Sequence, residues 1–201
     1  MKLIPILLMF GILAVSVWAV GSNSEPYSPE LVKKAESGDA RGQLSLGNCY
    51  MYGRGVPQDA KEAVKWFRKS AEQLDAQAQN VLGACYFGGL GVPQDQKEGL
   101  KWQTRAAEGG DANSQFQLGK CYWEGTWDST PQDPIEAAKW WTKSAVQGHA
   151  EAQFNLGYCY LTGRGVSKDQ KEGLRLWMCS ADQGNEKAKE AIKGLQKSLS
   201  K

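Results

Sequence analysis

Leu46-Gly47-Asn48-Cys49-Tyr50 decides the fold, because the pattern Leu-Gly-x-Cys-Tyr returns three more times in the chain. The other copies begin at Leu82, Leu118 and Leu156, so successive copies lie 36, 36 and 38 residues apart. Each copy is followed, three residues after its Tyr, by a Gly. A fixed period of this length is typical of architectures in which one small structural unit is repeated along the chain.

A second pattern follows each copy and predicts a second helix. It reads Gly-Val-Pro-Gln-Asp at 55–59 and 91–95, Ser-Thr-Pro-Gln-Asp at 129–133 and Gly-Val-Ser-Lys-Asp at 165–169. A Trp comes next, at positions 66, 102, 140 and, one place late, 177. At about 100° per residue, Leu46, Cys49 and Tyr50 share one helix face, and Gly47 beside it lets a neighbouring helix approach closely. Two amphipathic helices per repeat bury their apolar faces only by stacking, which predicts an all-α solenoid.

Four Asp-x-x-Glu pairs look like catalytic carboxylates, but their spacing favours helix starts. An Asp at the N-cap accepts hydrogen bonds from the first turn, and a Glu three residues later returns the bond in a capping box. A catalytic pair repeated four times would be strange chemistry, whereas four helix starts are what a solenoid requires. The predicted structural caps are Asp59, Glu62, Asp95, Glu98, Asp133, Glu136, Asp169 and Glu172.

These residues together resemble the Sel1-like repeat family, a relative of the tetratricopeptide repeats. The resemblance covers roughly residues 38–185 and implies a right-handed α-solenoid of antiparallel helix pairs that serves as an interaction scaffold. The expected repeats are 39–74, 75–110, 111–148 and 149–184, with a capping helix at 28–38 and a terminal helix and tail at 186–201. The third repeat departs from the pattern, because its loop lacks Gly-Val and is two residues longer.

In tetratricopeptide-like stacks, the first-helix face opposite the Leu-Cys-Tyr face lines a concave groove. That resemblance makes this face the expected binding site for an unidentified protein or peptide, centred on the third and fourth repeats. We expect Phe116 and Phe154 to be exposed there. For the Phe87 and Trp123 positions, groove exposure and packing between repeats remain equal alternatives. The candidate binding residues are Asn48, Asn80, Phe116, Lys120, Trp123, Phe154, Tyr158 and Leu161.

Charge and residue inventory argue against other classes of function. Without Lys2, the chain after the leader has 23 basic and 22 acidic residues, and no basic run suggests a nucleic-acid partner. His149 is the only histidine and stands at a predicted cap, so we expect no catalytic residue, no metal and no cofactor. A hydrolase acting on cell-wall peptides or β-lactams is the alternative, but the one Ser-x-x-Lys falls at 198–201 without companion motifs.

The N-terminus predicts export. An uncharged apolar stretch at 3–20 follows Lys2, and Val17-Trp18-Ala19 suits cleavage after Ala19, so residues 1–21 are interpreted as a signal peptide. The stretch is also near the lower limit of about 18 residues for crossing a bilayer, so a retained anchor is the alternative. The anchored form would make the protein a membrane-tethered assembly factor. Both interpretations place the rest of the chain outside the cytoplasm, in the periplasm or secreted.

The five cysteines invite a disulfide interpretation in an exported protein. Four of them occupy one position of the repeat, at 49, 85, 121 and 159. Equivalent positions on stacked helices lie about 8–10 Å apart, which exceeds the roughly 7 Å limit for a disulfide between Cα atoms. We therefore expect these four to be small buried residues and Cys179 to be an exposed thiol.

Overall fold

A computed structural model describes residues 25–125 and 132–199, without the side chains of 198 and 199. This part of the chain contains ten α-helices and no strand. Two compact units divide the chain between Gly109 and Gly110. Unit 1 contains α1 to α5, which are Pro29–Glu36, Ala40–Tyr52, Ala60–Glu72, Ala76–Gly88 and Gln96–Glu108. Unit 2 contains α6 to α10, which are Ala112–Glu124, Pro134–Val146, Ala150–Thr162, Gln170–Asp182 and Glu186–Leu199.

Each unit contains two repeats, and each repeat is a first helix followed by a second helix that packs against it. The first helices are α2, α4, α6 and α8, and the second helices are α3, α5, α7 and α9. In unit 1, α1 packs on α2 and α3 packs on α4; in unit 2, α7 packs on α8 and α9 packs on α10. The predicted all-α repeat fold is confirmed. Residues at equivalent places in the repeats form what we call a column.

Carboxylates begin the second helices, but the predicted capping box is only half right. Asp59 Oδ1 accepts from the backbone N–H groups of Lys61 and Glu62, and Asp95 and Asp133 cap their helices in the same way. Asp169 accepts from Glu172 N. The Glu side chains do not return the bond, because the N–H of each cap Asp already donates to a Tyr carbonyl. The four pairs are Asp59 to Tyr50, Asp95 to Tyr86, Asp133 to Tyr122 and Asp169 to Tyr160.

Each Glu side chain instead forms an ion pair with a Lys or Arg three residues later on the helix surface. Glu62 contacts Lys65 at 2.6 Å, Glu136 contacts Lys139 at 2.8 Å, and Glu172 contacts Arg175 at 2.6 Å. Glu98 and Lys101 form the same pair at 3.2 Å. Because these pairs are exposed to solvent, each stabilises its helix only weakly. The four Asp residues are therefore helix caps, as predicted, whereas the four Glu residues form ion pairs on the helix surface.

In three of the four repeats, the Gly of Leu-Gly-x-Cys-Tyr is required because an aromatic ring of the second helix occupies the space where its Cβ would be. A Cβ on Gly47 would lie 2.6 Å from the Phe67 ring, and a Cβ on Gly119 would lie 2.5 Å from the Trp141 ring. Trp177 meets Gly157 in the same way, so it belongs to the Phe67 and Trp141 column. The Trp66, Trp102 and Trp140 column continues as Leu176. The interpretation of Trp177 as a late member of that column is therefore wrong.

Buried polar residues that the sequence analysis did not single out join the helices. Ser70 Oγ in α3 donates to the Ala40 carbonyl of α2 at 2.8 Å. Gln43 Nε2 donates back to Ala35 of α1 at 3.2 Å, while Gln43 Oε1 accepts from Gln73 Nε2 of α3 at 2.8 Å. The fourth repeat repeats all three contacts through Ser180, Gln153 and Gln183. The signal was present, since Gln recurs at positions 43, 79, 115 and 153.

The cysteine column behaves as a set of small core residues. Cys49, Cys85, Cys121 and Cys159 are all buried. Burial raises the pKa of Cys85 and of Cys159 to about 12, because the low-polarity interior disfavours a thiolate. Thiols in this state are poor nucleophiles and poor metal ligands. Cys179 is half-buried rather than exposed as predicted, and Arg175 of the same helix lies beside its sulfur.

The turn between α3 and α4 carries a non-glycine residue in a left-handed conformation. Leu74 has φ of 67°, whereas the corresponding turns of the other repeats use Gly110, Gly148 and Gly184. Left-handed backbone costs an L-residue on the order of 1 kcal/mol. This turn is therefore more strained than the corresponding turns of the other repeats.

The last helix has the register of a first helix but not its Gly. Asn185 Oδ1 accepts from Ala188 N, as Asp39 accepts from Gly42 N at the start of α2. This register places Lys193 in the Gly47 column and half-buried Ile192 in the column of Leu46. A side chain at 193 prevents a ring from settling there as Phe67 does on Gly47. The helix α10 therefore covers α9 without preparing a surface for a further second helix.

Candidate functional site

The first helices leave different residues exposed in the two units. Of the eight candidate binding residues, Asn48 is 3% exposed and Phe116 is 6% exposed, so their predicted exposure is wrong. Asn80, Lys120, Trp123, Phe154 and Leu161 are half-buried, and Tyr158 is 43% exposed. The exposed and half-buried candidates with side chains close to one another lie in unit 2.

Phe116 is buried because the next repeat covers it. Its ring stacks on His149, at the start of α8, with centroids 4.7 Å apart. Its carbonyl accepts a hydrogen bond of 3.2 Å from Trp141 Nε1 in α7. The residue is part of a core cluster that spans both repeats of the unit. A helical wheel identifies the face that Phe116 occupies, but it does not show that a following repeat closes over that face.

Phe154 occupies the same column one repeat later and is only partly covered. Its ring stacks on Trp177 with centroids 5.5 Å apart, and its carbonyl accepts from Trp177 Nε1 at 2.9 Å. The single helix α10 follows this repeat, so no complete helix pair encloses the ring within unit 2. Phe154 therefore supports the Trp177 ring and keeps part of its surface in water.

Trp123 connects the two repeats of unit 2. Its ring lies 5.3 Å from that of Trp141 and meets Tyr158 edge to face at 6.0 Å. The Arg164 guanidinium lies over the Trp123 ring, 4.1 Å from its centroid. Gln132 Nε2 donates to the Trp123 carbonyl at 2.7 Å, which holds the end of α6. We call Lys120, Trp123, Tyr158, Leu161 and Arg164 the aromatic–basic face.

The other members of the Trp123 column pack inside their own repeats. A Cβ on Gly99 would lie 2.6 Å from the Phe87 ring, and a Cβ on Gly173 would lie 2.6 Å from Leu161 Cγ. Phe87 therefore packs against the second helix of its own repeat and is half-buried, which does not decide between the two alternatives. Trp123 combines both, since it contacts the next repeat while remaining partly exposed.

Cations on and beside this face lack acidic partners. Lys120, Arg164 and Lys168 form no ion pair with any residue in 25–125 or 132–199. In contrast, Lys139 and Arg175 on the second helices of the same unit are each paired with Glu. The sequence analysis selected Lys120 but missed Arg164 and Lys168, although the fourth loop, Gly-Arg-Gly-Val-Ser-Lys at 163–168, contains both.

His149 is a helix cap and not a catalytic base. Its Nδ1 accepts from Ala152 N at 3.2 Å, and its Nε2 lies 3.2 Å from Asn113 Oδ1. This pairing requires the neutral imidazole with the proton on Nε2. Burial lowers the pKa of His149, and the charges of Glu151 and Asp111 oppose that shift only in part. Both nitrogens are thus engaged in holding α8 against α6.

Other chemical roles find no support in the described part of the chain. Among those residues, no group of three or more His, Cys, Asp and Glu side chains is arranged to hold a metal ion. Nor is any helix there both long enough and apolar enough to cross a bilayer. The predicted signal peptide at 1–21, the loop at 126–131 and the last two residues of the Ser-x-x-Lys at 198–201 lie outside the described residues.

Comparison with known proteins shows that the chain is similar to Sel1 repeat proteins. The Sel1 repeat model matches four segments, 40–73, 76–111, 112–149 and 150–185. A Sel1 repeat protein from Oxalobacter formigenes is 36% identical, with a TM-score of 0.79 over 82% of this chain and 47% of that one. The protective antigen c5321 present in uropathogenic Escherichia coli strains, which displays an SLR fold, is 37% identical with a TM-score of 0.72. That match covers 79% of this chain and 33% of the antigen.

Helicobacter pylori cysteine rich protein B shares the fold at 21% identity, with a TM-score of 0.51 over 67% of this chain and 95% of that protein. No curated protein matches the sequence. The chain spans less than half the length of each of the first two solved structures. Sel1 repeat proteins generally bind other proteins and are typically non-catalytic scaffolds. Since the four matched segments cover most of its length, the chain belongs to the Sel1 repeat family.

Proposed function

We propose that this protein is a non-catalytic scaffold of the cell envelope and that it binds a segment of another protein on the aromatic–basic face of unit 2. The observation that carries the proposal is Tyr158, a large ring 43% exposed beside the half-buried Trp123. Aromatic and Arg side chains are enriched where proteins bind one another, because they bury much area and still form polar contacts. Among the other candidate residues Asn48 and Phe116 are buried, so they are not available to a partner.

Site-specific photo-crosslinking of the full chain in its host tests this proposal. A photoreactive phenylalanine at position 158 should crosslink to a partner in the envelope. The matched control is position 135 on α7, because Ile135 is 59% exposed in the same unit but lies on a second helix. Crosslinks of equal yield at both positions, or at 135 alone, would place the contact elsewhere and contradict the proposed site.

A pair of alanine variants adds an affinity measurement to the crosslinks. Tyr158→Ala should reduce recovery of the crosslinked partner in affinity capture by about tenfold, since aromatic hot spots cost on the order of 1.4 kcal/mol or more when truncated. Ile135→Ala should leave recovery unchanged. Equal recovery with both variants would show that Tyr158 does not carry the interaction.

Export is the second part of the proposal, and the apolar stretch at 3–20 supports it. Mass spectrometry of the protein from envelope fractions would identify its first residue. A chain beginning at Val20 would fit a cleaved signal peptide and remove the tethered alternative. An intact N-terminus in the membrane fraction would support a membrane-tethered assembly factor. Recovery from the cytosol alone would contradict export.

A further inference from the structure

We propose that the segment bound on the aromatic–basic face is acidic and amphipathic, with carboxylates placed against Arg164, Lys168 and Lys120 and apolar side chains placed against Tyr158 and Leu161. This inference rests on the proposed function and specifies the chemistry of the partner. It follows from three cations that form no ion pair among the described residues and from the way in which Arg164 is held.

Arg164 is positioned without losing its hydrogen-bonding capacity. The flat face of the guanidinium stacks on the Trp123 ring, with 4.1 Å between Cζ and the ring centroid. Stacking of this kind leaves the N–H groups at the edge of the plane free to donate, in the fork geometry that matches a carboxylate. Among the described residues, Arg164 forms no hydrogen bond or ion pair that would occupy them. It is therefore an ordered cation with an unused donor edge.

Lys168 adds a second positive charge to the same loop, at a position where the other three repeats have an uncharged Gln. The first three repeats carry Gln58, Gln94 and Gln132 at this place, and each donates its amide to the carbonyl of Met51, Phe87 or Trp123. Those bonds hold the end of the first helix. In the fourth repeat a Lys replaces this brace, and no described carboxylate neutralises it.

Lys120 supplies the third charge from the neighbouring helix α6. It lies one turn before Trp123, and its column holds the buried Asn48 and Ala84 in unit 1. A cation at this column therefore distinguishes unit 2 from unit 1. Positive charge in unit 2 thus comes from two elements, from Lys120 on α6 and from Arg164 in the loop after α8 that stacks on Trp123.

Two carboxylates on the same helices limit the kind of acidic partner that fits. Glu124 and Glu151 are exposed on α6 and α8, so the elements that carry the three cations also carry two acids. A surplus of one charge is too small to hold a uniform polyanion by electrostatics alone. Binding requires that the partner also bury apolar groups against Tyr158 and Leu161. An amphipathic segment with spaced carboxylates meets both conditions, and a nucleic acid does not.

Two labelled peptides of identical length test the sign of the charge. One alternates Glu with Leu, and in the other Gln replaces each Glu. Fluorescence anisotropy with the full chain should give a Kd for the Glu peptide about tenfold lower than for the Gln peptide, as two exposed charge contacts together provide. The Glu peptide should also lose affinity as salt rises. Equal affinities, or no binding by either peptide, would overturn the acidic assignment.

A matched pair of double variants tests whether binding of the Glu peptide depends on charges at the site or on the net charge of the protein. Arg164→Gln with Lys168→Gln should raise the Kd of the Glu peptide about tenfold. Lys171→Gln with Lys187→Gln removes the same charge from exposed positions on α9 and α10 and should change it by less than about twofold. Equal losses would show a nonspecific charge effect and overturn the assignment.

The crosslinking experiment distinguishes failure of this inference from failure of the proposed function. If crosslinks at position 158 persist in the Arg164→Gln, Lys168→Gln variant with unchanged yield, the face binds protein but not through its cations. The acidic assignment would then be wrong and the scaffold would stand. If crosslinks at 158 are absent while the Glu peptide binds, the peptide contact is not the physiological one, and both proposals are overturned.

Discussion

Units 1 and 2 use the same columns to fold and different residues in the columns that face outward. Both place a capping Asp before each second helix and a Gly where the two helices of a repeat touch. In unit 1, the columns beside that contact contain the buried residues Asn48, Met51 and Ala84. In unit 2, the corresponding columns carry the aromatic–basic face. The positions that build a repeat are thus separable from the positions that give it a partner.

The largest difference between the units is expected in the column that meets Gly. Trp141 is 2% exposed and donates to the Phe116 carbonyl, whereas the second repeat of unit 1 carries Gln103 in this column, with a long bond of 3.4 Å to Asn80. Trp141→Ala should cost about 4 kcal/mol of unfolding free energy through the cavity it leaves. Gln103→Ala should cost about 1 kcal/mol. Urea unfolding of both variants would measure the two losses of unfolding free energy. Similar losses would refute the interpretation that packing of the Trp141 ring on Gly119 stabilises unit 2.

Within unit 2, the buried and exposed aromatic residues should respond in opposite ways. Phe116→Ala should lower the unfolding free energy by about 3 kcal/mol, because the ring is enclosed by Trp141 and His149. Tyr158→Ala should change it by no more than about 1 kcal/mol but should weaken partner capture. Denaturation and capture measured on the same two proteins would separate core from site. A stable Phe116→Ala protein with impaired capture would restore the original assignment of Phe116 to the binding surface.

The turn after the second helix offers a reciprocal exchange. Leu74 in unit 1 is 80% exposed at φ of 67°, while Gly148 in unit 2 has φ of 86° and open space around its Cβ position. Leu74→Gly should stabilise the protein by about 0.5–1 kcal/mol, because left-handed strain is removed and little burial is lost. Gly148→Leu should destabilise it by about 1 kcal/mol. Amide exchange in α3 and α7 would assign each effect to its own unit, and effects of the same sign would exclude backbone strain as the cause.

The smallest expected effect is a pH dependence confined to unit 2. The folded protein lowers the pKa of His149, so the unfolded chain binds the proton more readily. The stabilisation is complete above the ordinary His pKa of about 6.5 and is lost as pH falls through the lowered pKa of the folded state. Between pH 7.5 and 5.5, the free energy of unfolding should fall by less than about 1 kcal/mol. The corresponding caps in unit 1 are Asp39 and Asp75, so His149→Asp should abolish this component. An unchanged profile in that variant would show that His149 is not its source.

The repeat, its helix starts and the close contact at Gly were predictable because each is a local property recurring in the sequence. Asp59 and Gly47 needed only their own repeat to be interpreted. Burial of Phe116 was not predictable, since it depends on His149 and Trp141 in two other helices. The Glu of each capping box was misassigned because the Tyr carbonyl that takes the Asp N–H comes from the preceding helix.

The binding face was only partly predictable for the same reason. Tyr158, Lys120 and Trp123 were selected from the helix face that they share. Arg164 was missed because its role comes from a loop that reaches the ring of the previous repeat. Columns describe what each repeat does for itself, and the contacts between successive repeats must be seen in three dimensions.

Lys193 has a consequence for how proteins of this design change in length over evolution. A second helix packs on the first helix of its own repeat through a position without a side chain, and α10 carries Lys193 at that position. Duplication of a segment inside 40–185 would copy each glycine contact together with its cap. Docking a new second helix onto α10 would first require the exchange of Lys193 for Gly. Growth by internal copying is therefore a one-step event for this architecture, whereas growth on α10 requires coordinated changes.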